Sequence, residues 1–316
     1  MNNKLKLVDI EKVLFYDVEC VRRSKNLDVN TKEFELYQKK IRNKETDELP
    51  TEQETIDDYN KRAALKMGYN RVVSIGVGFV KGGEVHIKAI DQGSEEDIIK
   101  EFFKITQSFE FISGFNVIQF DTPLLVMNGS KYFDITEVFP DKFNTSGKKI
   151  WELKHTYDLF QTFKGTHYAN NSLDEVCYHF NIPSPKTDLD GSKVSEEFWT
   201  NGVAKISEYV KQDVFANINI FRKMRFESIF ESFKDKNSFK VEKLPLLQRI
   251  FNNKNISGDD RTEVLTLLKK KKLPKKDKDV IMDIIRASLC AIEPHFGKIV
   301  NSKQVDEIIE LLKQDL

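Results

Sequence analysis

The chain has 316 residues, with 50 Lys+Arg against 50 Asp+Glu, so its formal net charge is zero. That balance excludes a polycation, and any binding of nucleic acid must rest on a local basic surface or on metal. A hydrophobic share of 40% supports a packed core, and the length allows one large domain with a small one beside it. Cys20, Cys177 and Cys290 are widely spaced, show neither zinc nor disulfide spacing, and suit a reducing compartment. The start, Met1-Asn2-Asn3-Lys4, lacks a signal-peptide apolar run, and no stretch approaches about 18 apolar residues. A cytoplasmic protein without membrane association is expected.

In chain order, the first element is the apolar, β-prone run over 13–19, which reads as a buried strand. It carries Asp17 and Glu19, two acids at i and i+2, which share one face of a strand. Paired carboxylates repel, and burying them is costly unless a cation lies between them. A hard divalent ion suits their oxygens; a solvated strand end is the alternative. Residues 22–66 are charged and mostly helical in pattern, with Thr51 and Glu54 spaced as a capping box. They read as an insertion near the mouth of the site, either touching substrate or decorating the surface.

Two β-prone runs over 71–80 and 84–90 flank Lys81-Gly82-Gly83, a hairpin signal. An amphipathic helix over 95–109 and a short strand over 109–114 follow. Gly114 permits close backbone approach, and Pro123 fits the first turn of a helix capped by Asp121 or Thr122. Residues 155–163 read as a strand, 172–180 as a helix capped by Ser172, and 183–200 as a polar loop. In that loop Asp188-x-Asp190 lacks the Gly and Glu of a calcium loop. Ile206, Val210, Val214, Ile218 and Phe221 mark a further helix. On it Tyr209 and Asp213, four apart, share a face, as a surface pair or as chemistry. From 229 onward the pattern is four short helices, over 240–252, 258–272, 275–292 and 302–316. A basic run, Lys269-Lys270-Lys271-Lys272 with Lys275-Lys276, lies among them. His86, His155, His167, His179 and His295 are scattered without ligand spacing, and no phosphate-binding loop or nucleophile elbow is present.

Taken together, Asp17 and Glu19, Asp121 within Gly114-Phe115-Asn116-x-x-x-Phe120-Asp121-x-Pro123-x-Leu125, and Tyr209 with Asp213 resemble the three motifs of the DEDD (DnaQ-like) 3′–5′ exonuclease superfamily. Tyr209 stands four residues before Asp213. Glu208 occupies the place of the histidine of the His subclass, so the chain resembles the Tyr subclass, DEDDy. The segments Tyr157-Asp158-Leu159, Ser172-Leu173-Asp174-Glu175 and Asp190-Gly191-Ser192-Lys193-Val194 add a resemblance to stand-alone relatives of the family B DNA polymerase proofreading domain. Cys20 stands where that family more often has Thr or another small polar residue.

The resemblance implies an α/β, ribonuclease-H-like fold: a mixed five-stranded sheet flanked by helices, with a small all-α appendage. An exonuclease domain is expected over 1–228, with its helical insertion over 22–66, and a helical domain over 229–316. It also implies two divalent ions, Mg or Mn, held by Asp17, Glu19, Asp121 and Asp213. In that pattern Asp17 bridges both ions, Glu19 and Asp213 complete the hydroxide-generating one, and Asp121 supports the second. Tyr209 orients the attacking water. Asn116, Phe120 and Cys20 are placed to hold the terminal nucleotide, with Lys186 for phosphate. The expected partner is single-stranded nucleic acid, DNA before RNA, with a replication or polymerase partner reached through the helical tail. An RNA-trimming nuclease of the ribonuclease D kind and a non-catalytic nucleic-acid-binding scaffold are the competing readings.

Overall fold

The structure, a computed structural model, describes residues 4–133, 141–145, 147–149, 152–165, 170–185, 189, 191–235, 263–264, 266–270, 274–289, 309 and 313. The chain divides into two compact units, Met1–Phe239 and Lys240–Leu316. The first holds a mixed sheet with strand order β5-β4-β1-β2-β3-β6. Its strands are β1 (Val13–Arg22), β2 (Asn70–Lys81), β3 (Glu84–Ile90), β4 (Phe111–Gly114), β5 (Thr156–Asp158) and β6 (Lys234–Asp235). β1 to β3 form an antiparallel meander, whereas β4 and β5 run parallel to β1. This is the mixed α/β, ribonuclease-H-like arrangement expected, with one correction. The sheet has six strands rather than five, because the two-residue β6 pairs in parallel with β3 at His86 and Ile87. So short a strand has no periodicity to read.

β1 is central and almost wholly buried. One face of the sheet carries the long helix α8 (Ala204–Met224), which packs on β1, β2 and β3. The other carries α3 (Glu95–Thr106), whose Phe102 meets Tyr16 at 5.2 Å between ring centroids. Phe15 points the opposite way, onto Phe221 of α8, edge-on at 5.3 Å. The alternation Phe15 to one side and Tyr16 to the other is the two-residue period of a strand buried on both faces.

The insertion folds as α1 (Lys32–Lys40) and α2 (Glu52–Arg62), with the Thr51–Glu54 capping box in place. Leu27, Phe34, Tyr37, Tyr59 and Ala63 give it a small core of its own. Two other expectations are corrected. Residues 155–163 are not one strand: β5 stops at Asp158, whose side chain accepts the N–H of Gln161 and starts helix α5 (Leu159–Lys164). Residues 183–200 are not all loop: they end in α7 (Val194–Asn201), which buries Val194 and Ser195 against the sheet. Helices α4 (Asp121–Gly129) and α6 (Leu173–His179) complete the first unit's named elements. In the second unit α9 (Lys275–Leu289) falls within the helix read over 275–292. The helices expected over 240–252 and 302–316 lie almost wholly outside the described residues, as does much of that over 258–272.

Candidate active site

Asp17 and Glu19 lie on the face of β1 that meets α8. Their neighbours across the sheet explain why a helix can come so near. Asp17 pairs with Gly76 and Phe15 with Gly78. A Cβ on Gly76 would stand 2.9 Å from the Val210 carbonyl oxygen, and one on Gly78 would stand 2.7 Å from a Val214 methyl. The two glycines therefore let α8 lie directly on the strand backbone and deliver Asp213 to the acids of β1. Ligand oxygens of Asp17, Glu19 and Asp213 all lie within 4.8 Å of one another. Just past Glu19 the β1–β2 register slips by one, pairing Glu19 with Ser74 and Cys20 with Val72. Bulges of this kind twist the strand and re-aim side chains beside functional sites.

Asp121 reaches the same region from a different direction. β4 pairs with β1 only as far as Phe15, and Gly114 lies so close that a Cβ there would be 2.5 Å from the Tyr16 carbonyl oxygen. The two strands then part, and the first turn of α4 fills the gap. There Asp121 accepts the N–H of Val18 at 3.0 Å, between Asp17 and Glu19. Thr122 meets the Tyr16 hydroxyl at 2.8 Å on the other side. Asp121 is buried, and it lies outside the 4.8 Å group of three. The cap role is not what the structure gives it, because the residue already lies inside α4 and its carboxylate is spent on β1.

Electrostatics mark three of these acids, Asp17, Glu19 and Asp121. Burial pushes the Asp17 carboxyl up to about 7. Glu19 is raised by burial and then by the charges of Asp17, Asp213 and Asp121; Asp121 is raised by burial and then by Asp17. Among the described residues no basic side chain figures in the groups acting on Asp17 or Glu19. Tyr209, one turn before Asp213, is hydrogen-bonded to it. Its hydroxyl is held well above its usual range by burial, then by Asp213, Glu19 and Asp17. Clustered carboxylate oxygens suit a hard divalent ion, whose charge would remove their repulsion.

Other candidates are placed differently. Asn116 takes a positive φ of 59° in the turn before α4, and its side-chain oxygen is buried without a partner. Phe120 is half-buried at the N-cap of α4. Cys20 alternates away from the acid face, and its thiol donates to the Ala64 carbonyl at 3.2 Å, so the structure does not bring it to the carboxylates. Lys186 lies outside the described residues.

Two residues of the site were given no role by the sequence argument, although Asp158 lay in a segment that supported the resemblance. Asp158, at the end of β5, accepts the N–H groups of Asn116 and Gln161 on one oxygen and of Ile118 on the other, at 3.0–3.1 Å. It thereby fixes the turn that aims Asp121. Its place at the last residue of a parallel strand next to β4 was the available signal. Asn217, one turn beyond Asp213 on α8, is fully buried, and neither amide atom has a hydrogen-bond partner among the described residues.

Comparison with known families adds one match. Residues 62–255, more than half of the chain, match the model of a family described as predicted 3′-5′ exonuclease related to the exonuclease domain of PolB. The chain belongs to this family. Asp121, Tyr209 and Asp213 lie inside the matched segment of this exonuclease-family chain, whereas Asp17 and Glu19 precede it. It is the fold, through β1, that joins those two acids to the rest. No curated protein matches the chain. Among the described residues no helix is long and apolar enough to cross a membrane.

Proposed function

We propose that this chain is a two-metal-ion 3′–5′ exonuclease of the Tyr subclass that removes nucleoside monophosphates from single-stranded DNA ends, in proofreading or repair. The observation that carries the reading is the convergence of Asp17, Glu19 and Asp213 from two distant parts of the chain within 4.8 Å. Asp17, Glu19 and Asp213 would hold one divalent ion, Mg or Mn, and Asp17 with Asp121 the other. When bound, such a pair supplies charge neutralisation at the phosphoryl group and lowers the pKa of the attacking water.

The chain's own residues do the positioning. Tyr209, one turn from Asp213 and kept protonated first by burial and then by the surrounding acids, orients the water and is no base. Asn116, with its unpartnered oxygen, accepts from the sugar of the terminal nucleotide, and Phe120 lies beside that nucleotide. DNA is favoured over RNA because the family is described by its relation to the exonuclease domain of PolB. The activity is assigned to the first unit, and the helical second unit is assigned the contacts with partners or longer substrate.

The test is hydrolysis of 5′-labelled single-stranded DNA and RNA of equal sequence, with Mn²⁺, Mg²⁺ or EDTA. A metal-dependent ladder shortening from the 3′ end, faster on DNA, is expected. Cleavage unaffected by EDTA would overturn the metal reading, and a preference for RNA would move the substrate to RNA 3′ ends.

A further inference from the structure

Arg71 is the cross-strand partner of Val21, two residues beyond Glu19 on β1. Val21 packs with Ile206 and Tyr209 of α8, and Phe198 of α7 packs on the same cluster. The Arg71 guanidinium lies over Phe198 at 5.4 Å and over Trp199 at 5.9 Å from the ring centroids. The arginine thus stands on the acid-bearing face, on the order of 8 Å along and across the sheet from Glu19.

Its bonding is incomplete in a specific way. The Arg71 side chain makes no hydrogen bond and no ion pair among the described residues, and its Nε–H is fully buried without an acceptor. The indole Nε1–H of the adjoining Trp199 is buried and unpartnered as well. Buried donors are nearly always satisfied, because leaving one without an acceptor is costly. Here two adjacent donors, one of them on a cation held by aromatic faces, both lack an acceptor. Those two N–H groups are closed off, but the terminal guanidinium nitrogens of Arg71 are not among the buried atoms, so an anion with several oxygens meets the arginine there. A phosphate fits the planar guanidinium fork, which aromatic stacking has already ordered.

We propose that Arg71 and Trp199 form an anchor for a backbone phosphate of the single strand, close to but upstream of the bond that is cut. The proposal rests on the exonuclease reading for its choice of nucleic acid. Arg71 and Trp199 position the strand; they touch no reacting atom. In a chain of zero net charge, a fixed cation beside the carboxylates gives the backbone a local attraction that composition does not supply.

The experiment uses the full chain. Binding of a 5′-fluorescein single-stranded DNA decamer is read by anisotropy in Ca²⁺, over a salt series, and hydrolysis is read in Mn²⁺. Wild type, Arg71→Met, Arg71→Lys and Trp199→Phe are compared on the native decamer. Decamers carrying one uncharged methylphosphonate, at each of the three linkages next to the 3′ end, form the second set. Arg71→Met is expected to weaken binding about ten-fold and to lower the salt slope by about one. Arg71→Lys keeps most of the slope but binds more weakly than wild type. Trp199→Phe, which puts a smaller ring beside the guanidinium, orders it less and loses affinity with no change in slope. One methylphosphonate position weakens wild type and leaves Arg71→Met indifferent.

Unchanged affinity and slope in Arg71→Met overturn the anchor, as does an equal methylphosphonate penalty in both proteins at every position. Competition by inorganic phosphate at concentrations that leave ionic strength unchanged would assign the donors to free phosphate and also overturn it. If Arg71→Met melts well below wild type, Arg71→Lys and Trp199→Phe carry the decision. Wild type that binds DNA through Arg71 but releases no nucleotide in Mn²⁺ overturns the exonuclease reading and leaves the anchor standing. Full hydrolysis with an indifferent Arg71→Met does the reverse.

Discussion

At the residue scale, Asp17 and Tyr209 make separable predictions. Asp17 belongs to the group of three and its charge also acts on Asp121, so on the proposed two-ion reading Asp17→Asn would remove the shared ligand. Turnover on single-stranded DNA should fall by about three orders of magnitude or more with the fold intact, measured by single-turnover kinetics beside a thermal melt. Tyr209→Phe removes a hydroxyl bonded to Asp213 and leaves the carboxylates in place. It should slow turnover by about 10–100-fold with nearly unchanged affinity for metal and oligonucleotide. Because that hydroxyl titrates far above neutrality, the loss should be the same at every pH from 6 to 9. A loss that grows with pH would make the tyrosine a titrating base.

The same acids link stability to pH. A carboxyl raised by burial binds its proton more tightly folded than unfolded. Its contribution is full below the unfolded value near 3.8 and is lost as pH rises through the folded value, about 7 for Asp17. The metal-free protein should therefore melt at lower temperature at pH 8 than at pH 5.5. Mn²⁺ or Mg²⁺ should restore the difference at pH 8 and do little at pH 5.5, where the acids hold protons. Differential scanning fluorimetry over a grid of pH and metal reads both signs at once.

At the element scale, the delivery of Asp213 depends on the fit of α8 against β2. The obstacle at Gly76 includes a carbonyl oxygen of the helix backbone, which cannot rotate away as a side chain can. Gly76→Ala should therefore cost about 1–3 kcal/mol. By lifting α8 from the strand, it should reduce activity more than the lost stability explains. Denaturant melts and single-turnover rates on one preparation separate the two effects. Asp158 serves the opposite side of the site. Its two oxygens accept three backbone N–H groups of α5 and of the turn before α4, so an amide there would face donors with a donor. The insertion is built differently, around Tyr37, Tyr59 and Tyr69 in edge-on contact at 5.0 and 4.8 Å. It folds on its own small core rather than on the sheet's.

At the scale of the whole molecule, the two units invite different expectations. The first contains the sheet, α8 and all the acids. The second carries the Lys269–Lys276 basic run and α9. A protein ending at residue 239 should keep its melting transition and its hydrolysis of short oligonucleotides. On long single strands it should bind more weakly and with a shallower salt dependence. Unchanged affinity and slope would direct the second unit to a protein partner, such as a replication polymerase, instead.

What the sequence determined by itself is whatever a short window encodes. β1 was legible from the apolar run around Asp17, and α8 from its 3.6-residue apolar period. The capping boxes at Thr51 and Ser172 were legible from the pairing of residues three apart. Asp17, Glu19, Asp121, Tyr209 and Asp213 could be picked out because their order and spacing along the chain match a family pattern. The windows failed where local chemistry was ambiguous. Asp158 could continue a strand or cap a helix, and its side chain capped α5. Residues 194–201 looked like more of a polar loop, because only Val194 and Ser195 are fully buried there. Only the tertiary structure decided what depends on close approach across the sheet. Gly76 and Gly78 matter because α8 lies on them, and Cys20 turns from the acids because strand side chains alternate. Arg71 and Trp199 leave adjacent donors unmet because packing placed them side by side, far apart though they are in the chain. Distances of a few ångströms between residues over a hundred positions apart are set by the whole fold, and no local stretch of sequence contains them.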